Sequence, residues 1–111
     1  MTEPKKRPAV LTPRSVALLE AEDWLCWRVE YYNAFTKRRH DLFNLFDLLA
    51  LKRDRIMGVQ ITSLTNMSSR RNKIAESPYI GRIRESGMEI ELQGWFKNKA
   101  GRWDCKRESL S

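Results

Sequence analysis

Seven consecutive residues, Leu45-Phe46-Asp47-Leu48-Leu49-Ala50-Leu51, hold one acid among six apolar side chains. A run apolar on both faces reads as a buried strand in a sheet covered by helices. An unpaired ionised carboxylate in such a place costs several kcal/mol. Asp47 therefore needs a partner, or it lies at the mouth of the strand. Either it caps a loop amide at the strand entry, or it is a functional acid.

The residues after the run sharpen the choice. Lys52-Arg53-Asp54-Arg55 is a tight charged turn, and Ile56–Ser63 reads as a second strand, so the two form a hairpin. Gln60 and Thr62 lie two apart and share one face of that strand, while Val59 and Ile61 share the other. Gly58 precedes Gln60 on its face and leaves room for a close approach. Beside a strand with a buried Asp, the Gln-x-Thr pair is a candidate site. The plainer alternative is a half-exposed strand with both polar groups in water.

The rest of the chain supplies the layers. Residues 1–11, with Pro4 and Pro8, read as a loose basic tail, and residues 12–111 as a single domain. Thr12-Pro13 looks like an N-cap followed by Pro at the first helical position. The stripe Val16, Leu18, Leu19 predicts a helix over 13–22. Trp24–Tyr32 is rich in aromatic and β-branched residues and predicts one strand; 33–41 is polar and reads as a loop. A helix over 63–76 is ended by Pro78, and a short helix over 79–85 is stopped by Gly87. Met88–Phe96 alternates as a strand, 98–101 turns, and 102–106 pairs back. The expected fold class is α/β: a mixed central sheet of four to five strands flanked by helices. A chain of 111 residues is one such domain.

Charge points to the partner. Lys and Arg total 21 against 14 Asp and Glu, a net +7 with a pI near 9.8. That excess suits a polyanion, although it also aids solubility. The cations cluster. Lys37, Arg38, Arg39 and His40 crowd the loop before Asp47; Arg70, Arg71 and Lys73 crowd the helix after Thr62. Both clusters would hold phosphates, and His40 reads as a phosphate contact rather than a base. Trp95 and Trp103 read as core, with Trp95 beside Lys97 and Lys99 a secondary base-stacking candidate. Cys26 and Cys105 lack metal-site spacing and read as buried free thiols, as in a reducing cytoplasm. No apolar run approaches a membrane span, and no apolar stretch follows Lys5-Lys6-Arg7 to make a signal peptide.

The order helix, strand, basic loop, Phe46-Asp47-Leu48-Leu49-Ala50-Leu51, turn, Val59-Gln60-Ile61-Thr62-Ser63, basic helix resembles the core of the PD-(D/E)xK nuclease superfamily over about residues 12–76. Within it the chain is most similar to small phage and archaeal endonucleases of the Holliday-junction-resolvase type. The resemblance implies a restriction-endonuclease-like core, a homodimer, DNA as partner, and Asp47 as a metal-binding acid. The family's strand acid and lysine fall at Gln60 and Thr62. Gln60 offers a metal a neutral oxygen, and Thr62 cannot replace the lysine's charge. Glu30, at the end of the first strand, is the leading candidate for a second acid, ahead of Glu20. Lys73, reaching back from the helix, is the candidate cation.

The implied chemistry is divalent-metal-dependent hydrolysis of DNA phosphodiester bonds, with branched DNA as a substrate. Asp47, Glu30 and the Gln60 oxygen suit Mg²⁺ (or Mn²⁺), a hard cation that takes oxygen ligands. Lys or Arg nearby would stabilise charge developing at phosphorus. Two other readings compete: a degenerate nuclease fold that binds DNA without cutting it, and a basic subunit that docks on another protein.

Overall fold

The computed structural model describes residues 6–111, with side chains described from Leu11 onward. Of the tail expected over 1–11, residues 1–5 lie outside the described residues, and 6–11 are not a loose tail but the start of a helix. Helix α1 spans Lys6–Glu20 and is followed by β1 (Leu25–Arg28), β2 (Tyr31–Asn33) and β3 (Arg38–His40). Next come β4 (Leu48–Lys52) and β5 (Arg55–Ser63), a 3₁₀ turn over Leu64–Asn66, and α2 (Met67–Ala75). The chain closes with α3 (Ile80–Glu85), β6 (Glu89–Lys97) and β7 (Trp103–Ser109).

Five strands form one mixed sheet in the order β1-β4-β5-β6-β7, as the α/β reading expects. The β4–β5 pair is an antiparallel hairpin, from Leu48 opposite Val59 to Lys52 opposite Arg55. Because β6 runs parallel to β5, the connection crosses over through α2 and α3. Alternation along β5 sends Val59 and Ile61 to one face, where α1 places Leu11 and Leu19 against Leu48, Ala50 and Trp95. The opposite face carries Gly58, Gln60 and Thr62. There Phe46 and Ile90 pack with Ile74 of α2 and Ile80 and Ile83 of α3. The result is three layers with β5 at their centre.

Four expectations need correction. Helix α1 begins at Lys6, so Pro13 lies inside it and Thr12 is not its cap. Proline's fixed φ is itself helical. Only one backbone bond is lost, and burial of Leu11, Thr12 and Ser15 against the sheet holds the helix through it. The strand expected over Trp24–Tyr32 breaks after Arg28. The basic segment expected as a loop is a second, two-stranded ribbon, with Tyr31 opposite His40 and Asn33 opposite Arg38. Its turn is closed by the Asn33 carboxamide, whose Oδ1 accepts from the backbone N–H of Phe35 (2.9 Å) and of Thr36 (3.2 Å). The last strand extends to Ser109, beyond the expected 102–106.

The room beside Gly58 serves packing. A Cβ there would lie 2.7 Å from the Phe46 ring, which fills the space. Trp95 is core, its indole N–H donating to Ser15 Oγ (2.8 Å), while Trp103 lies under the Arg14 guanidinium at 4.7 Å. Cys26 on β1 and Cys105 on β7 are free thiols on opposite edges of the sheet. Burial pushes the Cys105 thiol up to about 12, so it stays protonated and unreactive. Among the described residues, no helix is long and apolar enough to cross a membrane.

Candidate metal centre

Three carboxylates meet on the Gln60 face of the sheet, and backbone register explains why. The ribbon's last pair is Tyr31 with His40, so Glu30 and Asp41, next along each strand, leave its base side by side. A tight turn comes next, in which Leu42 bridges Phe46 and both Phe43 and Asn44 take left-handed φ (56° and 59°). One step beyond that bridge, Asp41 faces Asp47. One step before the Leu48–Val59 pair, Asp47 faces Gln60, and its N–H donates to the Val59 carbonyl at 2.8 Å. Three ladders thus bring Glu30, Asp41 and Asp47 together, with one carboxylate oxygen of each within 4.8 Å of the others.

Each acid is held from the outside. Asp47 Oδ2 accepts from the Gln60 carboxamide Nε2 (2.9 Å) and from the Ile61 N–H (2.8 Å). Glu30 takes a hydrogen bond from the Thr12 hydroxyl of α1 (3.3 Å) and pairs with Arg39 of the ribbon at 3.1 Å. The charges of Lys73 and Arg70, on α2, act on Asp41. The cluster therefore joins α1, the ribbon, the sheet and α2.

Its electrostatics are unfavourable without a cation. Burial, chiefly, pushes Asp47 up to about 7. The charges of Glu30 and Asp41 add to this, while the Ile61 and Gln60 hydrogen bonds oppose it. Burial, and then Glu30, raise Asp41 as well; Lys73, Arg39 and Arg70 hold it down. Two buried oxygens, Asp41 Oδ1 and Gln60 Oε1, have no hydrogen-bond partner among the described residues. Buried polar atoms without partners are rare. Clustered acids, raised affinity for protons and unpartnered oxygens fit a hard divalent cation, which takes carboxylate and carboxamide oxygens. The cluster could hold a metal ion.

The structure sorts the sequence candidates. It brings Asp47, Glu30, Gln60 and the charge of Lys73 to one place. Gln60 presents its nitrogen to Asp47, so it orients the acid, and its own oxygen is the atom left over. Thr62 is buried opposite Gly94 on the same face, and its hydroxyl bonds to none of the three acids. Glu20 ends α1 and is not among the clustered acids. Lys37 and Arg38 are exposed on the ribbon, and His40 stacks on Tyr31 with ring centroids 5.2 Å apart. Arg71 turns away to β7 and pairs with Glu108 at 2.7 Å.

Asp41 is the residue that sequence reading missed. It closes a polar, basic segment and looks like an ordinary solvated charge. Asn33 is the signal that could have found it. An Asx-type turn at Asn33, between Tyr31-Tyr32 and Arg38-Arg39, makes a ribbon that brings Glu30 and Asp41 together at its base.

Comparison with known protein families and with curated proteins finds no match to this chain.

Proposed function

We propose that the protein is a divalent-metal-dependent DNA endonuclease that hydrolyses phosphodiester bonds, branched DNA among its substrates. One observation carries this reading: a buried Asp47 meets Glu30 and Asp41 where a cation would relieve their mutual repulsion, with Lys73 and Arg70 alongside. Glu30, Asp41 and Asp47 would hold Mg²⁺ or Mn²⁺, with Gln60 fixing the Asp47 carboxylate. When bound, the ion lowers the pKa of a water and offsets charge on the phosphate. The chain's own groups do the rest. Lys73 and Arg70 draw the scissile phosphate to the carboxylates and stabilise the charge that builds at phosphorus. Lys37 and Arg38 on the ribbon hold flanking phosphates. Thr12 and Arg39 keep Glu30 turned toward the cluster. The open edge strand β1, with Leu25 and Trp27 exposed, is a surface on which a second copy would pair to make the homodimer.

A second reading, a nuclease fold that binds DNA without cutting it, is favoured by β5 itself. That strand supplies neither an acid nor a lysine beside Asp47, only Gln60 and Thr62.

Labelled four-way-junction and linear duplex DNA, incubated with Mg²⁺, Mn²⁺ or EDTA, separate the two. Cutting that needs metal and is lost in Asp47→Ala is expected. Binding without cutting, equal in both proteins, establishes the non-cutting reading instead.

A further inference from the structure

The ribbon carries features that metal binding does not use. Phe35, at its tip, is 98% exposed, and Tyr31 and Tyr32 are 60% and 64% exposed. A single exposed apolar side chain needs no explanation, but three exposed aromatics on one short ribbon suggest a contact surface. The Asn33 carboxamide holds the turn and so keeps Phe35 at the apex. Tyr31 and His40 occupy one face of the ribbon, Tyr32 and Arg39 the other, so aromatic and cationic groups lie side by side on both. Arg39 is paired with Glu30, while Lys37 and Arg38 are exposed and form no ion pair among the described residues. The ribbon springs from the carboxylates, since Glu30 precedes β2 and Asp41 follows β3. Five residues of extended chain place Phe35 at most about 17 Å from Glu30. At ~3.4 Å per stacked nucleotide, that is about five nucleotides.

We infer that this ribbon is a wedge that stacks Phe35 on an unpaired or unstacked base, so that the protein selects DNA at a fork or branch over uninterrupted duplex. The inference rests on the DNA-directed reading above and assigns the element that would select its substrate. A Phe ring has no hydrogen bonds with which to read base edges. Its use against DNA is its face, and presenting a base face costs least where stacking is already broken, since opening an intact step costs a few kcal/mol. The surrounding cations supply the affinity for phosphate, and the ring supplies the preference for broken stacking.

The test uses the full chain in EDTA, where no metal is available for cutting. Forked DNA with 2-aminopurine in the last base pair before the fork is compared with the matching linear duplex. Wild type is expected to bind the fork about tenfold or more tighter than the duplex and to brighten the 2-aminopurine as the pair opens. Phe35→Ala is expected to lose about 10- to 100-fold in fork affinity, the size of one lost base–aromatic stack. It should also lose the brightening, yet keep its duplex affinity and melting temperature, because the ring contacts no core. Phe35→Trp should restore both signals. If Phe35→Ala keeps the fork preference and the brightening, the wedge is overturned while DNA binding stands. If neither protein binds any DNA, both readings fall. If Phe35→Ala instead reduces the sedimenting mass of wild type, the tip is a contact between copies of the chain, and the wedge is again overturned.

Discussion

Asp47 concentrates the chemistry of the molecule in one side chain. Its ordinary value is 3.8, and the fold pushes it up to about 7. Between those values the native metal-free protein binds a proton that the unfolded chain releases. Asp47 therefore adds stability in full below about pH 4, and that stability is lost as pH rises through about 7. A thermal melt in EDTA followed across this window should show the loss. A bound cation reverses the situation, because carboxylate ligands must be deprotonated. Mn²⁺ affinity, measured by titration, should fall by up to about tenfold per pH unit below pH ~7. Asp47→Asn separates the two effects. The new carboxamide oxygen still accepts from Gln60 and Ile61, and its N–H₂ faces Glu30 and Asp41 without charge. Above about pH 7 the variant should be more stable in EDTA by about 1–3 kcal/mol, since a buried charge is removed while its hydrogen bonds remain. Mg²⁺ should raise the melting temperature of wild type and leave that of the variant unmoved. Asp47 was legible in the sequence, since one acid among apolar neighbours needs a reason. Asp41 was not, since nothing in its local pattern separates it from a solvated loop charge.

At the scale of elements, the centre depends on backbone placement more than on any one bond. The Leu42–Phe46 turn folds Asp41 back on Asp47, and Phe46 anchors the turn by seating its ring over Gly58. Gly58→Ala would drive a Cβ to 2.7 Å from that ring and 2.8 Å from the Met88 methyl. Overpacking of this kind costs about 1–3 kcal/mol. Because Phe46 adjoins Asp47, the substitution should also weaken Mn²⁺ binding, which the same titration reads. Unchanged affinity with lowered stability would show that the turn holds its shape without the ring. The hairpin and the apolar faces of the helices followed from periodicity in the sequence. The ribbon did not, because Arg38–His40 has none of the apolar alternation that marks a strand. A strand only three residues long is held by its turn and its cross-strand partners.

Across the whole molecule, the net charge is +7. Three of the 14 acids are held in ion pairs near one another at the sheet. Arg107 joins Glu22 and Glu91 there, and Arg55 joins Glu89 at 2.7 Å. The cations without an acid partner among the described residues include Lys37 and Arg38 on the ribbon, and Lys73 on α2, whose charge acts on Asp41. Duplex binding should weaken steeply with salt. Replacing Lys37 and Arg38 together with Ser should lower the slope of log K against log salt by about 2. Arg71→Ser should leave that slope unchanged, since Arg71 is engaged by Glu108; only a stability loss of at most ~1 kcal/mol is expected. Fluorescence anisotropy across a salt series measures both.

Whatever depends on neighbours along the chain could be read from the order of amino acids alone. That covers the order of the main helices and of the sheet strands, the β4–β5 hairpin, the burial of Asp47 and the position of Gln60 beside it, but not the β2–β3 ribbon. Period-two and helical patterns are local, and a hairpin turn carries its register with it. Which charges act together was a matter for tertiary contacts. They drew Asp41 and Glu30 onto Asp47, carried α1 through Pro13 so that Thr12 reaches Glu30, and turned Arg71 away to Glu108. Those outcomes depend on ladders and layers that meet between segments far apart in sequence. A charged residue on a short polar strand looks the same along the chain whether it faces water or another acid.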